Sequence, residues 1–195
     1  MKLSILICTL LSRKDVFDKL HKHLLKQIID NRLETEVEIV VFEDNFEFPV
    51  GVKRNQLMKN ASGEFICFVD DDDWVPDDYV ITIYNTIRDN PHIDCIGFKG
   101  LLVSNDLGNR EFIHSLKYDN YFEDKDYYYR PPNHISPIRR SLIKDIKFPI
   151  KNFGEDFDWT MRICKGKILK DEVFLDKIMY FYNFEFSKSA TAGKK

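Results

Sequence analysis

Four consecutive carboxylates, Asp70-Asp71-Asp72-Asp73, follow the apolar run 65–69 and precede Trp74. Adjacent carboxylates repel one another, so such a run is costly unless a cation neutralises it. Hard divalent ions take oxygen ligands, and Mg²⁺ is commonly held by one or two carboxylates plus phosphate oxygens. The pattern points to a site for a divalent cation and a diphosphate. If the segment is extended, Asp70 and Asp72 share one face and Asp71 and Asp73 the other, which makes Asp70 and Asp72 the expected pair. A solvated acidic turn entering a helix, whose N-terminal dipole also favours Asp77 and Asp78, is the plainer alternative. A second acidic group, Gly154-Glu155-Asp156-Phe157-Asp158-Trp159, opens an expected helix reaching residue 163. A carboxylate in a closed pocket can take a hydroxyl proton near neutral pH, and helical spacing turns Asp158 partly away from Asp156.

Basic and aromatic residues complete the inventory. Lys53, Arg54 and Asn55 follow Gly51 at the start of an expected helix, where an N-terminus can approach phosphates. Arg54 is either a phosphate contact or a surface salt bridge, and Lys53 is expected to be exposed. His134 lies in the segment 131–140, rich in proline and ending in Arg139 and Arg140. It reads as an acceptor or phosphate wall, or as a hydrogen-bonded structural histidine. Tyr118, Tyr121, Phe122 and Tyr127 to Tyr129 suit sugar stacking or hairpin packing equally well.

The elements that position these groups alternate. Residues 3–8 form an apolar run suited to a strand covered on both faces. Phe17, Leu20, Leu24 and Ile28 then recur at helical spacing, with Ser12 or Asp15 available as a cap. Residues 37–42 form a second buried strand. A helix from Gly51 to Ala61 is stopped by Ser62-Gly63, and 64–69 form a third strand. This β-α-β-α-β order implies an α/β fold with a mostly parallel, Rossmann-like sheet whose ligands gather beyond the carboxyl ends of its strands, where the acidic run lies. A helix over 76–88, a strand over 93–103 and a hairpin near 112–118 predict a smaller antiparallel region beyond. Residues 187–195 are expected to be a flexible tail.

Composition narrows the class further. The 195 residues are 44% hydrophobic and 31% charged, with a formal net charge of −3, which excludes a disordered tail and gives no broad electrostatic grip on nucleic acid. The apolar runs are too short to cross a membrane, and no signal-peptide cleavage pattern follows the first, so a cytoplasmic protein is expected. Cys8, Cys67, Cys95 and Cys164 are far apart and read as free thiols.

The stretch Gly51-Val52-Lys53-Arg54-Asn55, with Ala61-Ser62-Gly63-Glu64-Phe65 running on through Asp70-Asp71-Asp72-Asp73, resembles the nucleotide-sugar half of glycosyltransferase family 2, which has the GT-A fold. The order of the other parts agrees: Thr9 and Arg13 after the first strand, Asp44 after the second, and the late Glu155-Asp156 pair. The resemblance implies a single domain over 1–186, with a nucleotide-sugar half (1–103) and an acceptor and catalytic-base half (104–186). It implies inverting transfer of a sugar from a nucleoside diphosphate, UDP being the expected nucleotide, to a hydroxyl of a glycan, a lipid-linked intermediate or another acceptor, with Mn²⁺ or Mg²⁺ on the diphosphate. Asp156 matches the family base. Thr9, Arg13, Asp44, Lys53, Arg54, Asn55, Asp70 and Asp71 match nucleotide-sugar positions, and Asp72, with Asp70, the metal. His134, Glu155, Asp158 and Trp159 fall on the acceptor side. Two departures stand out: Cys8 replaces a frequent Pro before the Thr, and no His follows His134, which leaves Glu185 at the analogous position, either a metal ligand or a plain surface residue. A nucleotidyltransferase would place a Gly-rich loop near residues 8–13, and none is present. A non-catalytic nucleotide or sugar module would have no need of Asp156.

Overall fold

The computed structural model describes residues 1–105 and 108–184. Glu185 and the 187–195 tail lie outside the described residues. Strand β1 (Leu3–Leu10) sits between β2 (Val37–Asp44) and β3 (Phe65–Phe68) and runs parallel to both. That central position explains its apolar run: Leu3, Ile5, Leu6 and Ile7 are all fully buried, as helices cover both faces of a parallel sheet. Helix α1 (Lys14–Asp30) and helix α3 (Tyr79–Asp89) pack Phe17, Leu20, Leu24, Val80, Ile83 and Ile87 against Ile5, Phe65 and Cys67 on one face. On the other face Leu57 and Met58 of α2 (Val50–Asn60), with Trp159 and Ile163 of α5 (Glu155–Lys165), pack against Leu6, Ile66 and Phe68. The period of two along β3 thus feeds two cores.

Strand β2 is an edge strand. The sequence predicts a buried strand there, but most of its residues are partly or largely exposed because nothing pairs with its outer side. The start of α1 differs too. A single 3₁₀ turn, Leu11–Arg13, leads into it, and neither Ser12 nor Asp15 supplies a capping hydrogen bond. Helix α3 begins three residues after Pro76, where the buried Gln27 side chain accepts from Val80 N and donates to Pro76 O, both at 2.9 Å.

Beyond α3 come β4 (Cys95–Val103), β5 (Arg110–His114), β6 (Phe122–Glu123), β7 (Tyr127–Arg130), β8 (Ile138–Arg139), the short α4 (Arg140–Ile143) and, after α5, β9 (Glu172–Asn183). The sheet has nine strands in the order β2-β1-β3-β8-β4-β5-β7-β6, with β9 parallel to β4. Only the two-residue β8 runs against its neighbours at the centre. The expected antiparallel hairpin is present as β4–β5, with Phe98 opposite His114. Strands from both sides of residue 103 share this one sheet, so the two halves interlock.

Two glycines set where α5 begins. A Cβ on Gly51 would lie 1.9 Å from the Pro149 carbonyl oxygen, so only glycine lets the loop before α5 press against the start of α2. Gly154 caps α5 at φ 68°, a left-handed conformation that glycine adopts without steric cost. Together they bring Glu155 and Asp156 against the Arg54 side of α2.

Candidate active site

The acidic run is a turn. Val69 N donates to Leu6 O at 3.1 Å, the last bond of the strand, and Asp73 N then donates to Asp70 O at 3.1 Å. The extended geometry expected of these residues is therefore absent, yet the turn separates them in the same way. Asp71 and Asp73 point inward and are buried, whereas the Asp70 and Asp72 side chains keep 31% and 52% of their surface accessible.

Each inward carboxylate has its own support. Asp71 accepts from Thr9 Oγ1 at 2.8 Å and from Arg13 Nη1 at 2.7 Å, and Arg13 Nη1 also reaches Asp72 Oδ2 at 3.0 Å. Asp73 accepts from Tyr180 Oη at 2.7 Å and from Asn183 N at 2.9 Å. Tyr180 Oη in turn accepts from Asp70 N at 3.1 Å, and Asn183 Nδ2 donates to Asp72 O at 2.8 Å. Burial, with the charge of Asp70 close by, pushes Asp73 well above the ordinary carboxylate range. Asp72 is also raised, first by burial and further by Asp70 and Asp71, against the opposing pull of Arg13.

Lys53 is buried, not exposed as the sequence suggests. The N-terminal turn of α2 points into the carboxyl ends of β1 and β2, where Lys53 Nζ donates to Asp44 Oδ1 at 2.7 Å and to Thr9 O at 3.1 Å. Asp44 accepts also from Phe48 N at 3.0 Å. Burial alone would raise the Asp44 carboxyl, but Lys53 and this amide hold it below its usual value. Thr9, Asp44, Lys53 and Asp71 thus form one internal network under the site. Asn55 is turned away from it, exchanging two hydrogen bonds with the Phe148 backbone at 2.9 and 2.8 Å.

Arg54 is a buried hub and no surface salt bridge. Its guanidinium lies 5.3 Å from the Phe68 ring centroid and 5.6 Å from that of Phe148. Nη2 donates to Asp70 Oδ1 at 3.1 Å, and Nε lies 3.6 Å from Glu155 Oε1. Nε and Nη1 are buried without a hydrogen-bond partner. Burial would lift Asp70, but Arg54, His134 and Arg13 outweigh it and hold that carboxyl far below its ordinary range. Glu155 moves the other way, raised by burial and by Asp156 despite Arg54.

His134 bridges the two acidic groups. Its segment runs beside β3, with Phe68 N donating to His134 O at 2.8 Å, which sets the ring between Asp70 and Asp156. Nε2 is 3.4 Å from Asp70 Oδ2 and Nδ1 is 3.8 Å from Asp156 Oδ2. Asp156 itself, 33% exposed in its side chain, makes no hydrogen bond through that carboxylate among the described residues. Its neighbours on α5 are committed elsewhere. Asp158 pairs with Lys151 at 2.6 Å. Trp159, expected on the acceptor side, is buried in the core: its ring stacks on Phe148 at 4.6 Å and its Nε1 donates to Ile146 O.

Tyr180 and Asn183, which grip the acidic turn from within, carry no signal in the sequence. They end a strand whose register against residues 70–73 only the tertiary structure reveals.

A sheet of this order, with an acidic turn at the carboxyl edge of its central strands, is the α/β architecture of the GT-A type. The chain belongs to glycosyl transferase family 2, whose family model matches residues 22–174. It is 26% identical over 145 residues to the glycosyltransferase GlyA of Streptococcus pneumoniae serotype 4 (strain ATCC BAA-334 / TIGR4), a stretch covering 66% of this chain and 20% of GlyA. The chain thus corresponds to about a fifth of that relative's length. Residues 1–349 of S. aureus TarS in complex with UDP superpose with a TM-score of 0.65 at 21% identity, covering 95% of this chain and 61% of that one. The TarS complex with UDP-GlcNAc gives 0.64 at 19% identity, covering 95% and 59%. A CMP:2-keto-3-deoxy-manno-octonic acid synthetase complexed with CTP shares the architecture at a TM-score of 0.52, 13% identity and 91% of each chain. The fold alone therefore does not distinguish family 2 from the CTP-bound synthetase; the family match does. Among the described residues no helix is long and apolar enough to cross a membrane.

Proposed function

We propose that this chain transfers a sugar from a nucleoside diphosphate sugar to a hydroxyl acceptor by direct displacement with inversion, with Asp156 as general base. The observation that carries this reading is the uncommitted Asp156 carboxylate, standing beside a set of acids that cations, hydroxyls and amides already hold. In the reaction the acceptor oxygen bonds to the anomeric carbon as its proton passes to Asp156. The bond from that carbon to the diphosphate breaks, and its electron pair leaves with the diphosphate. Arg13 and the buried Arg54 guanidinium supply fixed positive charge near where that negative charge develops. Thr9, Asp44, Lys53 and Asp71 form the floor on which the nucleotide lies. UDP is the proposed nucleotide, supported by the TarS complexes with UDP and UDP-GlcNAc.

The site fits a divalent cation, Mn²⁺ or Mg²⁺. Like charges and burial raise Asp72 and Asp73, a strain that a cation relieves. Among the described residues no group of three His, Cys, Asp or Glu side chains is placed to hold a metal. Any ion there would take its remaining ligands from phosphate and water. Asp70 and Asp72 would hold it, with Glu185 as a further proposed ligand, and the ion would neutralise the departing diphosphate. Thermal unfolding with a panel of nucleotide sugars, with and without Mn²⁺, tests the reading. A metal-dependent rise in Tm with UDP-sugars is expected. No shift with any nucleotide sugar rejects it.

A further inference from the structure

The loop before α5 carries a combination that the proposed chemistry does not use. Ile150, Phe153 and Phe157 are 78%, 55% and 42% exposed, the first two on the loop leading to Glu155 and the third just after Asp156. Phe157 packs edge-on against Tyr121, while Ile150 and Phe153, so exposed within four residues, exceed the single scattered apolar side chains of an ordinary surface. Cations border them. Arg162 Nη2 donates to Lys147 O, which ties the loop to α5. A groove of about 440 Å³ continues from Pro149 and Phe157 across Met161 to Arg162 and Lys165. Residues 140–170 hold eight Lys and Arg against four Asp and Glu, in a chain whose net charge is −3. Asp158 and Lys151 pair with each other and so cancel, and the buried Glu155 is paired with Arg54 outside the segment.

We propose that this face docks on an anionic lipid surface, with Ile150 and Phe153 entering the headgroup region and Lys147, Arg162 and Lys165 lying over the phosphates. Apolar insertion and attraction to a negative surface reinforce each other, and stable peripheral binding generally needs more than one such signal. A second copy of the chain is the poorer occupant, since it would set one cationic face against another. Asp156 lies in the same segment, so docking brings the proposed base to the bilayer surface, where a lipid-linked hydroxyl is presented. That consequence rests on the proposed function; the docking itself does not.

Flotation of the full chain with vesicles of phosphatidylcholine and phosphatidylglycerol, against phosphatidylcholine alone and without nucleotide, tests the proposal. Binding is expected to the anionic vesicles only, at about 0.1 M salt, and to vanish near 1 M as the screening length falls to about 3 Å. Lys147→Gln with Lys165→Gln lowers the partition coefficient about 30-fold. Ile150→Ser with Phe153→Ser lowers it about 10-fold or more. Unchanged unfolding temperatures show that both pairs of variants are folded. Three outcomes overturn the proposal: no binding to anionic vesicles by the unaltered chain, equal binding by it and both folded pairs, or a dimer that depends on Ile150 and Phe153 without vesicle binding. None of these readouts uses nucleotide sugar, so failure of the catalytic reading shows separately.

Discussion

The carboxylates at the end of β3 and those at the start of α5 share one guanidinium that pulls on both, yet they end on opposite sides of their ordinary values. Arg54 donates a hydrogen bond to Asp70 and holds it low, while Glu155, 3.6 Å from Nε, is raised because burial outweighs that attraction. The β3 side is braced throughout: Asp71 by Thr9 and Arg13, Asp73 by Tyr180 and Asn183. The α5 side is less firmly held: among the described residues the Asp156 carboxylate makes no hydrogen bond, and the His134 ring lies 3.8 Å from it. A group that stabilises developing charge works best when fixed in advance, whereas a base must have a lone pair free for the incoming proton. The contrast between the two regions follows that division of labour.

The sharpest way to break the comparison is Asp156→Asn, which keeps the shape and removes the proton acceptor. Transfer is expected to fall about 10²- to 10⁴-fold, with donor affinity unchanged by calorimetry. If donor binding falls in step, Asp156 belongs with the braced group and the contrast disappears. Arg54→Ala tests the shared element. It leaves Asp70 and Glu155 without their cation, and since Asp70 is partly open to solvent the expected cost is about 2 to 3 kcal/mol in urea unfolding. Loss of less than about 0.5 kcal/mol would mean that the hub is dispensable for folding. Tyr180→Phe sharpens the picture on the β3 side alone: it removes the hydrogen bond to the buried Asp73 carboxylate and the acceptor of Asp70 N, and is expected to cost about 2 kcal/mol. An unchanged unfolding midpoint would show that Asp73 is supported without Tyr180.

How much of this was legible in the sequence depends on whether the determinant was local. The apolar run of β1, the stripe of α1 and the strand leading into the acidic residues are statements about neighbours in the chain, and the structure agrees with them. The exposure of β2 depends on its being at the sheet edge. Strand β8 is two residues long, too short for a periodic signal. In β9, Asp176 and Lys177 interrupt the alternation, and its register against β4 shifts at Phe98 and Lys99. Within the site, the separation of Asp70 and Asp72 from Asp71 and Asp73 was predicted from an extended geometry, but a turn produces it. The burial of Lys53 and Trp159 was illegible because both depend on where α2 and α5 meet the sheet.

The smallest effect expected, and the most specific, is the pH dependence of Glu155→Gln. In the folded chain Glu155 is raised above its ordinary value, first by burial and then by Asp156, so the folded state binds its proton more tightly than the unfolded chain does. Stability from this group is therefore fully present below the unfolded value, near pH 4.5, and is lost as pH rises through the folded one. Asp70 has the opposite sign: its carboxyl is held low, so its contribution is present above the unfolded value and is lost as pH falls. Comparing urea midpoints of the unaltered chain and Glu155→Gln between pH 7 and pH 4.5 isolates the first term. The unaltered chain should gain stability relative to the variant as pH falls, by at most about 1.4 kcal/mol per pH unit, the limit for one proton. A difference that stays constant with pH would mean that Arg54 merely offsets burial, whereas a loss of stability relative to the variant as pH falls would mean that Arg54 holds Glu155 low, as it holds Asp70. The two acidic regions would then be braced alike on that guanidinium, and the looseness of the α5 side would be confined to Asp156.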